Sequence, residues 1–223
     1  MVFFTLISKK LIAHDVFWLN FKTLGNVKMP IEGQFLTFLL PKSGGRAYSI
    51  LQSDKEHFEF IIKRLENGRW WSKEICDLPL GSEIKWVGPA GHFILKETSK
   101  NKLFFATGTW FVPLYYQILG STQKNLSCQL KLIFWVREQK DIFYEHELKK
   151  IEKHNPNFSY DLYLSQEKHE DYSYGRITQY IDEVTIKDFE EFYICWNPSM
   201  VDEVEKKLLE LWVLKESIFM ERY

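Results

Sequence analysis

Near Lys96 the apolar pattern of the chain changes period, and a change of period predicts two differently built domains rather than one. Up to residue 97, short apolar runs with a period of two recur: VFFTLISKK, HDVFWLNFKT, QFLTFLLP, RAYSILQS and HFEFIIKRL, separated by Gly, Pro, Asn and Asp. Strand residues alternate between a dry and a wet face, so five or six such runs predict a small antiparallel β-barrel. From residue 101 the runs KLFFATG, LKLIFWVR, FSYDLYLS, EFYICW and ESIFMERY are apolar throughout, and helical segments such as IFYEHELKKIEK and SMVDEVEKKLLELW alternate with them. Strands buried on both faces behind crossover helices predict an open parallel α/β domain. The polar stretch LKETSKNK marks the boundary, giving domains 1–97 and 98–223.

Composition removes several classes. With 45% hydrophobic and 26% charged residues and only 7 prolines, the 223-residue chain can bury a full core and is neither disordered nor collagen-like. Every greasy stretch is cut by charge before the roughly 18 residues that cross a bilayer, so no membrane span is expected. The first ten residues place their lysines after the apolar residues, the reverse of a secretory signal, which predicts a cytoplasmic protein. Cys76, Cys128 and Cys195 are too widely scattered for a disulfide framework, a metal knuckle or an iron-sulfur run, so no metal site is expected and any redox centre must come from elsewhere. A net charge of −1 gives no electrostatic case for nucleic acid or an anionic membrane. The oligomeric state is not encoded in any pattern of this kind.

In open α/β sheets ligands bind where the strand order reverses, at the carboxyl ends of the strands. The turn after the first strand of the second half reads Ala106-Thr107-Gly108-Thr109-Trp110-Phe111-Val112-Pro113. It has two readings: backbone amides that hold a pyrophosphate at a helix start, with Pro113 opening the helix, or an ordinary strand-to-helix turn. An ordered series of motifs surrounds it. Arg46-Ala47-Tyr48-Ser49 comes first, then Gly68 to Ser72 before a short helix, and Gly88-Pro89-Ala90-Gly91-His92-Phe93. Gly108-Thr109 with Pro113, Cys195 with Asn197-Pro198 and Met200, and a Glu221-Arg222-Tyr223 terminus follow.

This series resembles the ferredoxin-NADP reductase family over nearly the whole chain. The resemblance implies a flavin-binding Greek-key barrel, then a nicotinamide-binding α/β domain, with FAD and NAD(P)H as cofactors. It implies Arg46 on the flavin pyrophosphate, Tyr48 against the isoalloxazine and Ser49 near its reactive nitrogen. Lys63 falls where the next strand passes the flavin, or on a solvated strand face. Ser72 resembles the serine opening the pyrophosphate-binding helix, and equally suits a plain N-cap. Gly88, Pro89 and Gly91 look like the structural turn closing the barrel. Gly108, Thr109, Pro113, Asn197 and Met200 are implied on the nicotinamide dinucleotide, and Cys195, Glu221 and Tyr223 near the hydride-transfer site, with Ser49 as the fourth reacting-centre candidate. Ser165-Gln166-Glu167 stands where NADPH-using relatives often carry Ser-Arg, and its missing cation tilts the choice to NADH, although Lys168 or Arg176 could substitute. The implied activity is NAD(P)H-dependent flavoprotein reduction, with electrons passed to a separate ferredoxin, flavodoxin or small-molecule acceptor. The family's fused iron-sulfur domain is not expected, for want of cysteines.

Four tryptophans depart from the family pattern in one direction. Trp110, Trp135, Trp196 and Trp212 stand where glycine is usual, and Trp70 and Trp71 in the pyrophosphate turn are two further candidates. A glycine there lets backbone approach the dinucleotide, whereas an indole adds a side chain burying about 150 to 250 Å². Taken literally, these tryptophans predict a flavin-binding module with a blocked nicotinamide site, acting as a sensor or partner subunit. The alternative is that some or all are UGA codons read as glycine. The 11 glycines, against a usual ~7% of residues, favour it.

Overall fold

Phe4 and Leu6 are fully buried while Phe3 and Ile7 beside them face outward, the alternation that makes a strand with one dry face. The structure is a computed structural model describing residues 3–23, 27–66, 70–124 and 127–222. It divides into two units, Met1–Leu95 with Tyr115–Gln117, and Lys96–Leu114 with Ile118–Tyr223.

In the first unit the strands are β1 (Phe3–Ala13), β2 (Val16–Thr23), β3 (Phe35–Leu40), β4 (Gly44–Ser49), β5 (Gln52–Ser53), β6 (His57–Lys63) and β7 (Glu83–Ala90), with one short helix, α1 (Trp71–Cys76), before β7. They form one antiparallel sheet in the order β4-β3-β7-β1-β2-β6-β5. Three hairpins are built in turn and β7 then returns between β3 and β1, the Greek-key connection. Phe38 of β3 lies 4.9 Å, ring to ring, from Phe60 of β6, although β7, β1 and β2 lie between those strands in the sheet. The sheet therefore curls on itself as a barrel around Phe4, Phe21, Phe38, Phe58 and Phe60.

The barrel has seven strands among the described residues, where the sequence pattern predicts five or six. The strand not anticipated is β7, because Gly88 and Pro89 read as a closing turn. They form instead an irregularity inside the strand: Phe35 faces Ala90 and Thr37 faces Val87, so Gly88 and Pro89 together oppose Leu36. A ladder broken at that point tolerates a proline. Gly88 is required there, with φ +133 and space so tight that a Cβ would meet Leu36 Cδ2 at 2.9 Å.

The second unit holds β8 (Lys102–Thr107), α2 (Phe111–Gln123), β9 (Leu130–Val136), α3 (Glu145–His154), β10 (Phe158–Leu164), β11 (Ser173–Tyr174), α4 (Glu183–Ile186), β12 (Glu191–Trp196), α5 (Pro198–Glu210) and β13 (Ile218–Arg222). The sheet is parallel throughout, in the order β11-β10-β9-β8-β12-β13. Leu103, Phe104, Phe105 and Ala106 of β8 are all buried, as expected of a central strand covered on both faces. The chain builds outward from β8 to β11, then crosses to lay β12 and β13 on the other side, so the order reverses between β8 and β12.

At the opposite, starting ends of those two strands sits a buried ion pair. Lys102 Nζ, fully buried, lies 3.3 Å from the Glu191 carboxylate and donates to the Thr98 and Lys100 carbonyls at 3.1 and 2.8 Å. Glu191 accepts from Thr98 Oγ1 and from the Tyr193 hydroxyl at 2.8 and 3.0 Å. The charges are dry and fully partnered, which makes the pair tolerable and its breakage costly.

Candidate functional site

The candidate residues fall into two half-sites, one in each unit. In the barrel, Arg46 and Tyr48 are two residues apart on β4. Arg46 is exposed, and its guanidinium lies over the ring of Trp71, the first residue of α1, at 5.1 Å from the centroid. Among the described residues no carboxylate pairs with it. Tyr48 is half-buried, tilted against Phe38 at 5.9 Å, and burial raises its pKa far above the ordinary range, so the phenol stays protonated and able to donate. Ser49, also half-buried, ends the strand.

The start of α1 is fastened to the β3–β4 turn. Trp71 Nε1 donates to the Ser43 carbonyl at 2.5 Å, Lys42 N–H donates to Glu74 Oε1 at 2.9 Å, and the Ser43 hydroxyl donates to the same carboxylate. Ser72 is the second residue of the helix, not its N-cap; Trp70 holds the cap position without a side-chain bond. The Ser72 hydroxyl accepts instead from Leu65 N–H at 3.1 Å, two residues beyond the end of β6, where the ladder no longer serves that amide. Lys63 ends β6 half-buried. Its neighbour Arg64 is committed to Asp77 by two hydrogen bonds of 2.8 and 3.0 Å, which hold that carboxyl below its usual range. Gly68 lies outside the described residues.

An exposed guanidinium beside a serine-bearing helix start, with a half-buried phenol on the same strand, is the donor set a flavin dinucleotide requires. Those residues fit FAD. Trp71, the residue beneath Arg46, is the one that sequence reasoning placed only among misfit tryptophans; a partner 25 positions downstream leaves no local signal.

The second half-site lies where the order of the parallel sheet reverses. After β8, Gly108–Trp110 make one 3-10 turn and α2 begins at Phe111. Gly108 has φ +49 and open space around it, so the turn needs its left-handed backbone rather than its small size. Thr109 is half-buried in that turn. Pro113 is the third helical residue rather than the first; its missing N–H costs nothing there, since first-turn amides have no helical acceptor.

On the neighbouring strand, Cys195 is fully buried, in register with Ala106 of β8 and with Glu221 of β13. Burial, with Glu221 adding to it, drives its thiol far above the usual range. Asn197 caps α5: its Oδ1 accepts from Met200 N–H at 3.1 Å and from the Ser199 hydroxyl at 2.7 Å, with Pro198 in the first helical position. The Asn-Pro-x-Met motif is thus a helix start by its own chemistry. Two helix N-termini, α2 and α5, open at the carboxyl ends of adjacent strands, with their partial positive charge there.

The structure brings together Gly108, Thr109, Cys195, Asn197, Met200 and Glu221. Ser165 stands apart, at the end of β10, with its N–H and hydroxyl both on the Val136 carbonyl at 3.0 and 3.3 Å. Glu167 beside it accepts from Gln139 N–H at 2.7 Å, which keeps a carboxylate at that strand end. Tyr223 lies outside the described residues.

Two tryptophans stand at this half-site. Trp110 and Trp196 pack 6.5 Å apart, ring to ring, at the ends of β8 and β12, against Met200 and the core of this unit. Trp196 is buried and Trp110 half-buried, both at the strand ends where the sheet order reverses.

A Greek-key barrel with a cation beside a helix start, followed by a parallel sheet with two helix starts at its switch point, defines a two-domain dinucleotide-binding protein. Comparison with known proteins identifies the group. Residues 3–94 match the family model of the oxidoreductase FAD-binding domain and residues 104–206 that of the oxidoreductase NAD-binding domain. The chain belongs to the compact, ferredoxin-NADP reductase-like FAD/NAD oxidoreductases. It is 32% identical over 162 residues to one component chain of the Na(+)-translocating NADH-quinone reductase of a Marinomonas strain, covering 68% of this chain and 40% of that protein. To the toluate 1,2-dioxygenase electron transfer component of Pseudomonas putida it is 27% identical over 197 residues, covering 86% of this chain and 58% of that protein. It therefore spans about half the length of those curated relatives. The fold is shared with an Amycolatopsis cytochrome P450 reductase at a TM-score of 0.91, with 21% identity over 99% of this chain and 69% of that one. Among the described residues no helix is long and apolar enough to cross a membrane.

Proposed function

We propose that the chain is the flavin- and nicotinamide-binding module of an electron-transfer reductase, with residues 1–97 holding FAD, 98–223 receiving NAD(P)H, and a separate protein such as a ferredoxin or flavodoxin taking the electrons. The observation that carries this reading is the tandem of FAD- and NAD-binding domains with Arg46 exposed beside the start of α1. FAD when bound supplies the exchange between two-electron and one-electron chemistry.

The chain supplies position and charge. Arg46 and the Ser72 turn hold the pyrophosphate, Tyr48 presents an aromatic face and a protonated phenol, and Ser49 offers a hydroxyl at the end of β4. Lys63 ends the strand that leads into α1. Gly108, Thr109 and Pro113 on one side, and Asn197 and Met200 on the other, frame the dinucleotide between two helix starts. Cys195 and Glu221, neighbours on β12 and β13, set the reacting end, with Tyr223 completing it. Glu167 at the end of β10, and the absence of arginine at position 166, favour NADH over NADPH, since a carboxylate repels a 2′-phosphate.

The test is anaerobic stopped-flow reduction of the FAD-loaded protein by NADH and by NADPH, followed by a panel of acceptor proteins. Flavin bleaching with NADH and transfer to an iron-sulfur or flavin acceptor is the expected result; a protein that retains no flavin after dialysis defeats the reading. A second reading, a flavin module whose nicotinamide crevice is closed, is favoured by the Trp110 and Trp196 packing, and predicts bound flavin that neither nicotinamide reduces.

A further inference from the structure

Apart from Trp70, which is exposed at the N-cap of α1, the structure sorts the tryptophans into two groups. Trp18 donates its Nε1 to Glu59 at 2.7 Å and Trp71 donates to Ser43 and carries Arg46, while Trp86 stacks on Phe4 at 4.6 Å and Trp135 on Tyr163 at 4.7 Å, both with the Nε1 lacking an acceptor. Each of these uses its indole.

Trp212 does not. It is 90% exposed and holds φ +64, the left-handed region. It follows Leu211, the C-cap of α5; Trp212 N–H donates to the Leu209 carbonyl and Val213 N–H to the Leu208 carbonyl, both at 3.1 Å. Those two bonds are the Schellman closure, and the residue at this place is usually glycine because an L side chain there collides with its own backbone. The collision costs roughly an order of magnitude in the folding equilibrium, and an indole in water recovers none of it.

Two other tryptophans carry a cost of their own. Trp110 and Trp196 put two indoles at the ends of β8 and β12, where both helix starts open. A left-handed cap and a pair of indoles at the strand ends are different faults, and the same replacement, glycine, removes both. Glycine and tryptophan codons are each one base from UGA. A genetic code that reads UGA as glycine, transcribed with a table in which UGA is tryptophan, writes tryptophan at every such place.

We infer that Trp110, Trp196 and Trp212 stand at UGA codons that the source organism translates as glycine, and that the native protein has an open nicotinamide half-site between α2 and α5. The opening of the half-site rests on the nicotinamide reading given above; the backbone argument at Trp212 does not. The decisive measurement is the coding DNA together with peptide masses of the protein isolated from its own cells. UGA codons and glycine masses at the three positions, with tryptophan retained at Trp18, Trp71 and Trp86, are expected. TGG at Trp212, Trp110 and Trp196, or tryptophan masses there, overturns the inference. Recombinant Trp212→Gly gives a second readout: about a tenfold rise in the folding equilibrium constant by urea titration is expected, and no rise removes the backbone argument. The Trp110→Gly/Trp196→Gly chain is expected to bind NADH at least tenfold tighter than the chain as written, by fluorescence titration. Glycine masses in a native protein that ignores NADH uphold the recoding and defeat the nicotinamide reading instead.

Discussion

Arg46 concentrates the flavin question in one side chain. Its guanidinium is exposed, stacked on Trp71 and without a carboxylate partner among the described residues, so it is available to an anionic ligand. A charge-assisted hydrogen bond is worth roughly 1.5 to 3 kcal/mol. Arg46→Ala is therefore expected to weaken FAD binding by about 10- to 100-fold, read by titrating flavin absorbance, and Arg46→Lys to recover only part, since an ammonium cannot bond in a fork. Wild-type affinity in Arg46→Ala would remove this residue from the site. The Arg-x-Tyr-Ser pattern was legible in the chain because its members are contiguous on one strand. Trp71 was not, because the turn that folds α1 back onto β4 is fixed by Ser43, Lys42 and Glu74 through contacts that no local pattern announces. For Ser72 the alternative of a plain N-cap fails for a related reason: its acceptor role toward Leu65 depends on where β6 ends.

Helix α5 shows how much one local motif can decide. Asn197 and Pro198 supply a side-chain acceptor and a preset φ, so the helix starts there whatever surrounds it. Asn197→Ala is expected to cost about 1 kcal/mol, seen as a lower urea midpoint, with Asn197→Asp close to wild type; an unchanged midpoint in the alanine variant would mean that the cap is idle. Helix α2 was less legible. Its first residue, Phe111, follows a 3-10 turn without a side-chain cap, and the proline that seemed to open it sits two places further in. Strands β8 and β12 carry a different lesson. Lys102 reads in sequence as the last residue of a polar boundary, yet it is fully buried against Glu191. Lys102→Met is expected to destabilise the protein by about 3 to 5 kcal/mol by stranding a buried carboxylate, and Lys102→Met/Glu191→Leu to recover most of that loss. Equal destabilisation of the two variants in urea would show that the cost is packing and not charge.

Across the molecule, acidic groups with raised pKa values occur in both units, and their effects on stability share a sign. Burial pushes the Cys76 thiol from its usual 9.0 up to about 12, with Tyr48, Tyr193 and Cys195 displaced upward as well, in each case chiefly by burial. Between the unfolded and folded values the unfolded chain has lost a proton that the folded chain keeps, so stability falls as pH rises through that interval. The urea midpoint is expected to decline from about pH 9 upward, and Cys76→Ala to flatten part of the decline between 9 and 12; a midpoint indifferent to alkali would mean that these groups titrate in the folded state. The same burial is expected to keep all three cysteines from alkylating reagents in the native protein at neutral pH. By itself the sequence determined the two textures, most of the strands of each but not β7 or β11, the Asn-Pro helix start and the order of the motifs, since these follow from alternation, propensity and capping within a few residues. Tertiary structure alone decided that Gly88 and Pro89 lie inside a strand, that Lys102 is buried, that Cys195 stands beside Glu221, and that Trp212 holds a left-handed cap in open water. Such facts depend on which distant segments share a sheet, and on backbone angles set by closing bonds rather than by the residue that bears them.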